Sequence, residues 1–299
     1  RVIQVLSIDT DPFNFSIDLK MYRIQFLLLL FCLFLGTACS NKFFYNQLDW
    51  LIPWYVDDYV DLTLVQKENL DKQVEMLLQW HRGEELSHYI AILNHIEKDV
   101  TEYVTVETVK NWSDAVLISA ERVQVNILPL AIELGEELTE EQMAEFVKNL
   151  WDRQAELEEE YLSRSNEEYI KDNYESLTDN LGKYVGRLSD AQKERLNKAA
   201  NTMQRFDHVW LEDRRSWLEK LEGLMKREQG WQQATIDAFA LRGKQQPKRF
   251  KQYLSYNTTI IHQSIADVIN QLSDKQRGKL LVEIAEIKND FRVIIASAE

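Results

Sequence analysis

The sequence predicts an all-α fold: a multi-helix bundle of roughly seven to nine helices after a cleaved lipoprotein signal peptide. The 299 residues are 45% hydrophobic and 28% charged, which is the balance of a globular chain and not of a disordered one. Only 9 glycines and 4 prolines occur, too few for the frequent turns of a β-sandwich or barrel. A helix-start motif also recurs four times. Together these observations favour long helices joined by short connections.

The first apolar element, residues 21–38, has the character of a signal peptide. A methionine and one arginine precede the run FLLLLFCLFL (26–35), and the small residues GTA lead to Cys39. A run of about ten apolar residues is too short to span a bilayer but suits the core of a signal peptide. The segment resembles the signal of bacterial lipoproteins, in which the peptide is cut before a cysteine that then carries the lipid. Gly36 stands where leucine is usual, and a plain secretory peptide cut near Ala38 is the alternative.

Residues 1–20 contain no methionine and are expected to be upstream sequence translated in error, or disordered, with a genuine extension as the alternative. Residues 39–47 are then an anchor linker. Acyl chains such as palmitate on Cys39 would hold the protein on the membrane without help from charge. By resemblance to lipoproteins, Ser40 favours the outer membrane of a Gram-negative bacterium, with the protein facing the periplasm. Cys32 lies in the apolar run, so no cysteine pair remains for a disulfide.

Residues 48–299 form one predicted all-helical domain, in which four helix starts share the pattern L-[ST]-x-x-Q. The Thr or Ser hydroxyl can accept from a free N–H of the first turn, and the Gln can accept from the cap's own N–H, which makes a capping box. The caps and their glutamines are Thr63–Gln66, Thr139–Gln142, Ser189–Gln192 and Ser273–Gln276. The cap spacings of 76 and 84 residues indicate two possible duplicated halves, 48–187 and 188–299, although four boxes can also arise independently.

Between these starts the apolar residues step by three or four, as in an amphipathic helix. One such series runs from Leu86 to Tyr103 and another from Met143 to Tyr161. The basic, proline-bearing segment 242–252 is predicted to be a break before the last helices.

The segment LDWLIPWYVDDYVDL (48–62) is predicted to form a helix that follows Pro53 and continues to Leu62. At 100° per residue it divides into an apolar face and an opposing face of one tryptophan and three aspartates. Like charges four residues apart do not favour folding, so helix-start electrostatics, an Arg or Lys, or a hard cation such as calcium must offset them. The candidate ligand or partner site comprises Trp54, Asp57, Asp58, Asp61, His81 and Arg82.

A second candidate is a stripe of imidazoles and carboxylates that could ligate a metal. His81, His88 and His95 are seven residues apart and share a helix face unless Gly83 interrupts the helix. Such side chains at helical spacing can bind zinc, but the pattern is not H-E-x-x-H, and a solvated stripe is the alternative. The candidate metal ligands are Glu84, His88, His95 and Asp99.

Charge and motifs exclude several function classes. The net charge of −14 disfavours nucleic-acid binding and gives no attraction to anionic lipid. The sequence contains no G-x-S-x-G, no phosphate loop and no G-x-G-x-x-G. We therefore predict no catalytic residues and no cofactor, and we expect a binding or structural protein.

The segment YNQLDWLIPWYVDDYVDLTLVQKENLD, followed by LLQWHRGEELSHY, resembles the N-terminal signature of the domain-of-unknown-function 6279 family of helical Gram-negative bacterial lipoproteins. The likeness covers the cysteine signal and about the first third of the mature chain. It implies an exported, lipid-anchored, all-helical protein, and it supplies no catalytic residues because the family has no established activity. The motif L-[TS]-x-x-Q also resembles that of periplasmic LTxxQ-motif stress proteins, small helical chaperones that bind unfolded clients.

The leading hypothesis is a non-enzymatic, lipid-anchored envelope lipoprotein. Its expected partners are the membrane, through the N-terminal lipid, and an unidentified envelope protein, with no nucleic acid. A periplasmic chaperone-like stress protein is the second hypothesis. A metal-dependent hydrolase that uses the aspartates and the histidine stripe is the third, and it requires those side chains to converge in space.

Overall fold

A computed structural model describes residues 45–297, and these residues contain helices and no β-strand. The α-helices are α1 (Leu48–Asp57), α2 (Leu64–Trp80), α3 (Leu86–Asp99), α4 (Val106–Glu137), α5 (Glu140–Ser163), α6 (Asn166–Val185), α7 (Asp190–Thr202), α8 (Asp207–Leu224), α9 (Trp231–Gln245), α10 (Lys248–Asn270) and α11 (Asp274–Ala296). A π-helical segment, His81–Glu85, joins α2 to α3 without a break. The predicted all-α class is confirmed over this range.

Because α2 and α3 are continuous, the eleven α-helices form ten separate helical segments within the described range, one more than predicted. Three breaks are only two residues long, at 138–139, 164–165 and 246–247, and such short breaks interrupt the apolar spacing very little. The last of them lies inside the predicted break at 242–252. The proposed signal peptide, the residues before it and Cys39 lie outside the described residues.

All four predicted capping boxes are present. In each, the Thr or Ser hydroxyl accepts from the backbone N–H three residues later, and the glutamine side chain accepts from the backbone N–H of the cap. Two further boxes start α4 and α6, at Thr105 with Thr108 and at Ser165 with Glu168. These local hydrogen bonds satisfy first-turn N–H groups and set where six of the helices begin.

The helices pack across the boundary between the two possible halves. Helix α5 packs on α8, α4 on α10, and α3 on α11. The larger core cluster draws buried side chains from both sides of residue 187, including Leu86, Val100, Leu196 and Phe291. A smaller cluster around Phe206 and Trp210 fills the space between α5, α8 and α10. If the halves are duplicated, they are therefore joined in one core.

The glutamines of the capping boxes also bond to one another between helices. Gln66 Nε2 donates to Gln142 Oε1 at 2.9 Å, and Gln142 Nε2 donates to Gln66 Oε1 at 2.8 Å. Each Nε2 donates a second hydrogen bond to a backbone carbonyl two residues before the other cap, at Glu137 and Asp61 respectively. The start of α2 and the start of α5 are thus joined by a reciprocal amide pair.

The same arrangement recurs at the starts of α7 and α11. Gln192 and Gln276 exchange Nε2–Oε1 hydrogen bonds of 3.2 and 3.0 Å. Their second donations go to the carbonyls of Gln271 and Arg187, again two residues before the opposite cap. Identical pairing at both places is what a duplication predicts, and it shows that the motif has a structural use between helices.

Helix α4 is long and apolar enough to cross a membrane, judged by length and composition alone. Core helices of soluble proteins pass the same test but are mostly buried, whereas 22% of the residues in the most apolar stretch of α4 are buried. Helices α2, α3 and α10 pack on α4. Arg122, in the middle of α4, forms an ion pair with Glu85 of the π segment that precedes α3. We therefore describe α4 as a member of the bundle.

Candidate functional site

The aspartate-rich segment is not one continuous helix. Helix α1 begins at Leu48, with Pro53 inside it, and ends at Asp57. A turn follows, and Val60 to Thr63 run without helical structure into the cap of α2. Asp57 and Asp61 therefore do not share a helix face, and the prediction of a helix from Pro53 to Leu62 is wrong. The chain leaves the helix early because Val60 enters the core, where it is 1% exposed.

A lysine offsets the first aspartate of this segment. Lys67 Nζ lies 2.9 Å from Asp57 Oδ2, and both side chains are about 40% exposed. Asp58 is exposed, and its backbone N–H donates to the carbonyl of Val56 at the end of α1. Asp61 contributes its backbone, since its carbonyl accepts from Gln142 at 2.7 Å. Of the alternatives left open by the sequence, a basic side chain is the one observed at Asp57.

His81 is buried between two tyrosines. Its Nδ1 lies 3.0 Å from the Tyr45 hydroxyl oxygen, and its Nε2 lies 3.2 Å from the Tyr89 hydroxyl oxygen. Burial, with a smaller contribution from the charge of Arg82, lowers the pKa of His81 from 6.5 to about 4. Burial also raises the pKa of both tyrosines. The three groups are therefore neutral at pH 7 and bonded to one another, with no ring nitrogen left for a ligand.

The π-helical segment explains why His81 differs from the other histidines. A π turn inserts one residue into the helix and shifts the side chains that follow by about 100°. His81 is 4% exposed, whereas His88 and His95 on α3 are exposed. The prediction that the three histidines share one face is wrong. The cause is the extra residue that the π segment inserts near Gly83.

The same π segment places Glu85 in the core, where its side chain is 1% exposed. Arg122 of α4 donates from Nε and Nη2 to the two carboxylate oxygens, at 2.8 Å each. Nη2 also donates to Ser119 Oγ at 2.8 Å. This bidentate geometry is the strong form of a charge-assisted hydrogen bond. The hydrogen bonds to Glu85 raise the pKa of Arg122, so the guanidinium stays charged.

Sequence reasoning missed both Glu85 and Tyr45. Glu85 lies four residues before Tyr89, on the apolar series of α3, and an acid on an apolar stripe is a usable signal for a buried ion pair. Tyr45 was expected in the anchor linker, but it is 2% exposed and fixed to the bundle by His81. Nothing in its local sequence distinguishes it from a linker residue.

The acids of the proposed metal stripe have indole partners. Glu84 accepts from Trp80 Nε1 at 3.1 Å, and Asp99 accepts from Trp112 Nε1 at 2.8 Å. Within residues 45–297 no three His, Cys, Asp or Glu side chains form a group that could hold a metal ion. The convergence that the metal-hydrolase hypothesis requires is therefore not found among the described residues.

The remaining predicted site residues have structural contacts. Arg82 Nε donates to the carbonyl of Leu78 at 3.2 Å. Trp54 stacks on Trp50, with ring centroids 6.1 Å apart and planes inclined by 14°. The structure brings together His81, Arg82 and the start of α3, while Trp54 and Asp57 lie on the outer side of α1.

Comparison with known families decides the classification. A family model described as a family of unknown function, DUF6279, matches residues 58–246, which are 189 of the 299 residues. The chain belongs to the DUF6279 family. No curated protein and no solved structure matches it. The DUF6279 match includes His81, Tyr89, Glu85 and Arg122, whereas Tyr45, the other partner of His81, lies before the matched residues. Membership brings no known activity to the chain.

The likeness to LTxxQ stress proteins has a structural explanation in this DUF6279 chain. The Thr or Ser and the Gln of the motif make the capping box, and the Gln also makes the reciprocal pair. Both uses stabilise helix starts and need no bound client. The chaperone hypothesis stays a prediction.

Proposed function

We propose that this DUF6279 protein is a lipoprotein anchored through Cys39 on the periplasmic face of the outer membrane, and that it acts by binding a partner of the envelope. The proposal of a lipid anchor rests on the sequence that precedes the helical bundle. An apolar run of signal-peptide length is followed by small residues and a cysteine. The helical body begins soon afterwards, since Tyr45 is already buried in it.

The contacts of the candidate site support a binding role over catalysis. His81 is held neutral between two hydroxyl groups, and Glu85 is paired with Arg122. A general acid or base has to reach a substrate proton, whereas these groups are directed at one another inside the bundle. Their contribution is to hold the π segment and its neighbouring helices in place.

An open depression of about 550 Å³ lies along α10. Its lining carries lysine, amide and hydroxyl groups but no carboxylate and no imidazole, and the residues are Lys248, Lys251, Gln252, Ser255, Tyr256, Thr259 and Ile260. This lining also suits a binding role.

The anchor is tested with Cys39→Ser and envelope fractionation. We expect the wild type in the membrane fraction, labelled by a palmitate analogue, and Cys39→Ser unlabelled in the soluble fraction. Cys32→Ser is the matched control, because Cys32 lies in the apolar run, and its variant should fractionate like the wild type. Unchanged membrane association of Cys39→Ser would overturn the anchor.

The binding role is tested on the lipidated protein in its own envelope. Crosslinking followed by purification should recover a discrete partner at reproducible stoichiometry. A stoichiometric metal in the purified protein, or turnover of a hydrolysable substrate that requires that metal, would contradict the non-enzymatic role.

A further inference from the structure

The outward side of α1 presents two stacked tryptophans. Leu48 and Ile52 direct their side chains towards the core. At 100° per residue Trp50 and Trp54 lie on the opposite side. Trp50 is 60% exposed, and its ring stacks on that of Trp54. A large indole pair at the surface leaves apolar area in water, and folding of the described residues does not account for it.

The position of α1 along the chain restricts what can cover this pair. Tyr45 is fixed in the bundle, and it follows Cys39 by six residues. Six residues span at most about 22 Å when fully extended. The headgroup layer on each side of a bilayer is about 5–8 Å thick. This step rests on the proposed lipid anchor: with Cys39 in the membrane, α1 begins three residues after Tyr45 and lies close to the lipid surface.

Helix α2, which packs on α1, also exposes apolar side chains in its first turn. Leu64 and Val65, in the first turn of α2, are 81% and 67% exposed. Leu64 precedes Lys67 by one helical turn, and Lys67 neutralises Asp57 at the end of α1. The start of α2 therefore adds exposed apolar side chains close to α1 in the chain. Of the three acids at the junction of the two helices, Asp57 has a counter-charge, while Asp58 and Asp61 are exposed.

The chemistry of this surface fits a lipid interface. Tryptophan concentrates at the boundary between headgroups and acyl chains because its ring is apolar and its N–H is polar. With a net charge of −14 the protein gains nothing from anionic lipid, so contact has to come from aromatic and apolar groups.

We propose that the outward side of α1, with Trp50 and Trp54, docks on the lipid surface in which Cys39 is anchored. The lipid then holds the chain to the membrane, while the tryptophans set how the bundle is oriented on it. A short tether and an interfacial aromatic pair together fix one face of the bundle towards the membrane and leave the opposite faces for a partner.

The test uses the full lipidated protein in vesicles of zwitterionic phosphatidylcholine and phosphatidylethanolamine that carry brominated acyl chains. Bromine quenches tryptophan emission at short range. We expect quenching of the wild type and loss of most of it in Trp50→Phe/Trp54→Phe. The matched control is Trp151→Phe/Trp217→Phe, which removes two tryptophans from α5 and α8 and should keep the quenching.

Equal quenching in the two double variants, or none in the wild type, would overturn the docking. Because Trp50 is exposed and Phe keeps an aromatic ring at the half-buried Trp54, the double Phe variant should unfold close to the wild-type midpoint, and that measurement confirms that the variant is folded. The fractionation of Cys39→Ser distinguishes the two proposals. If Cys39→Ser is released but quenching does not depend on Trp50 and Trp54, the anchor stands and the docking fails. If Cys39→Ser stays on the membrane, the anchor fails.

Discussion

The reciprocal glutamine pair makes a prediction that separates its two roles. Replacing Gln142 by Glu keeps the capping box, because a carboxylate also accepts from the Thr139 N–H. It removes the Nε2 donor, which bonds to the Asp61 carbonyl at 2.7 Å and to Gln66 Oε1 at 2.8 Å. If the motif were only a cap, the change would be harmless.

The magnitude follows from the lost bonds. Two hydrogen bonds disappear, and both acceptors sit in a region where Gln142 itself is 9% exposed. Gln66 Oε1 keeps its hydrogen bond from the Thr63 N–H, so the acceptor that loses its donor is the Asp61 carbonyl. At about 1 kcal/mol per bond, with an added penalty for that carbonyl, Gln142→Glu should lower the free energy of unfolding by roughly 2–3 kcal/mol at pH 7.5. Acidification should restore part of the loss, because a protonated carboxyl regains a donor.

The matched control is Glu168→Gln. Glu168 caps Ser165 in the same way, with its carboxylate accepting from the Ser165 N–H at 2.7 Å. No hydrogen bond from Glu168 to another helix occurs in the described residues, so glutamine should serve there as well. Urea unfolding followed by circular dichroism measures both variants. A Gln142→Glu protein as stable as the wild type would refute the role of the pair, and so would a double-mutant cycle of Gln66→Ala and Gln142→Ala with no coupling.

Three further predictions concern charge. The folded-state pKa of His81, about 4, lies below its ordinary 6.5, so the unfolded chain takes up a proton first as pH falls. The free energy of unfolding should therefore drop by about 2 kcal/mol from this group between pH 7.5 and pH 5, and His81→Gln should remove that part of the pH dependence in urea titrations. Arg122→Met leaves the Glu85 carboxylate buried without its partner, and we expect a loss of roughly 3 kcal/mol or more. Lys148→Met breaks an exposed helical ion pair and should change stability by less than about 0.5 kcal/mol; equal losses in the two variants would contradict the buried pair. Finally, Lys67 offsets the charge of Asp57, so chelator and added calcium should both leave the melting temperature unchanged, and a rise with calcium would contradict this assignment.

Much of the fold was accessible from local sequence. The hydroxyl of Thr63 and the side chain of Gln66 are three residues apart, and their hydrogen bonds form within the first turn of α2. Such bonds depend on residues that any helix start brings together, so the four boxes were predicted correctly. The family was also recognisable, because its signature consists of continuous stretches of sequence.

The prediction failed where the phase of a helix changed. A single inserted residue in the π segment turned His81 into the core and left His88 at the surface. Helical spacing assumes 100° per residue throughout and has no means of locating such an insertion. The predicted end of α1 was wrong for a related reason, since Val60 packs in the core.

The helical class, the four boxed helix starts and the family follow from the amino-acid sequence alone, because each depends on neighbouring residues or on composition. Packing is needed to establish which glutamines pair, that His81 is neutral and buried, and that Glu85 is held by Arg122, 37 residues away. Those contacts join residues that are far apart in the chain, and their energies depend on the burial that packing creates.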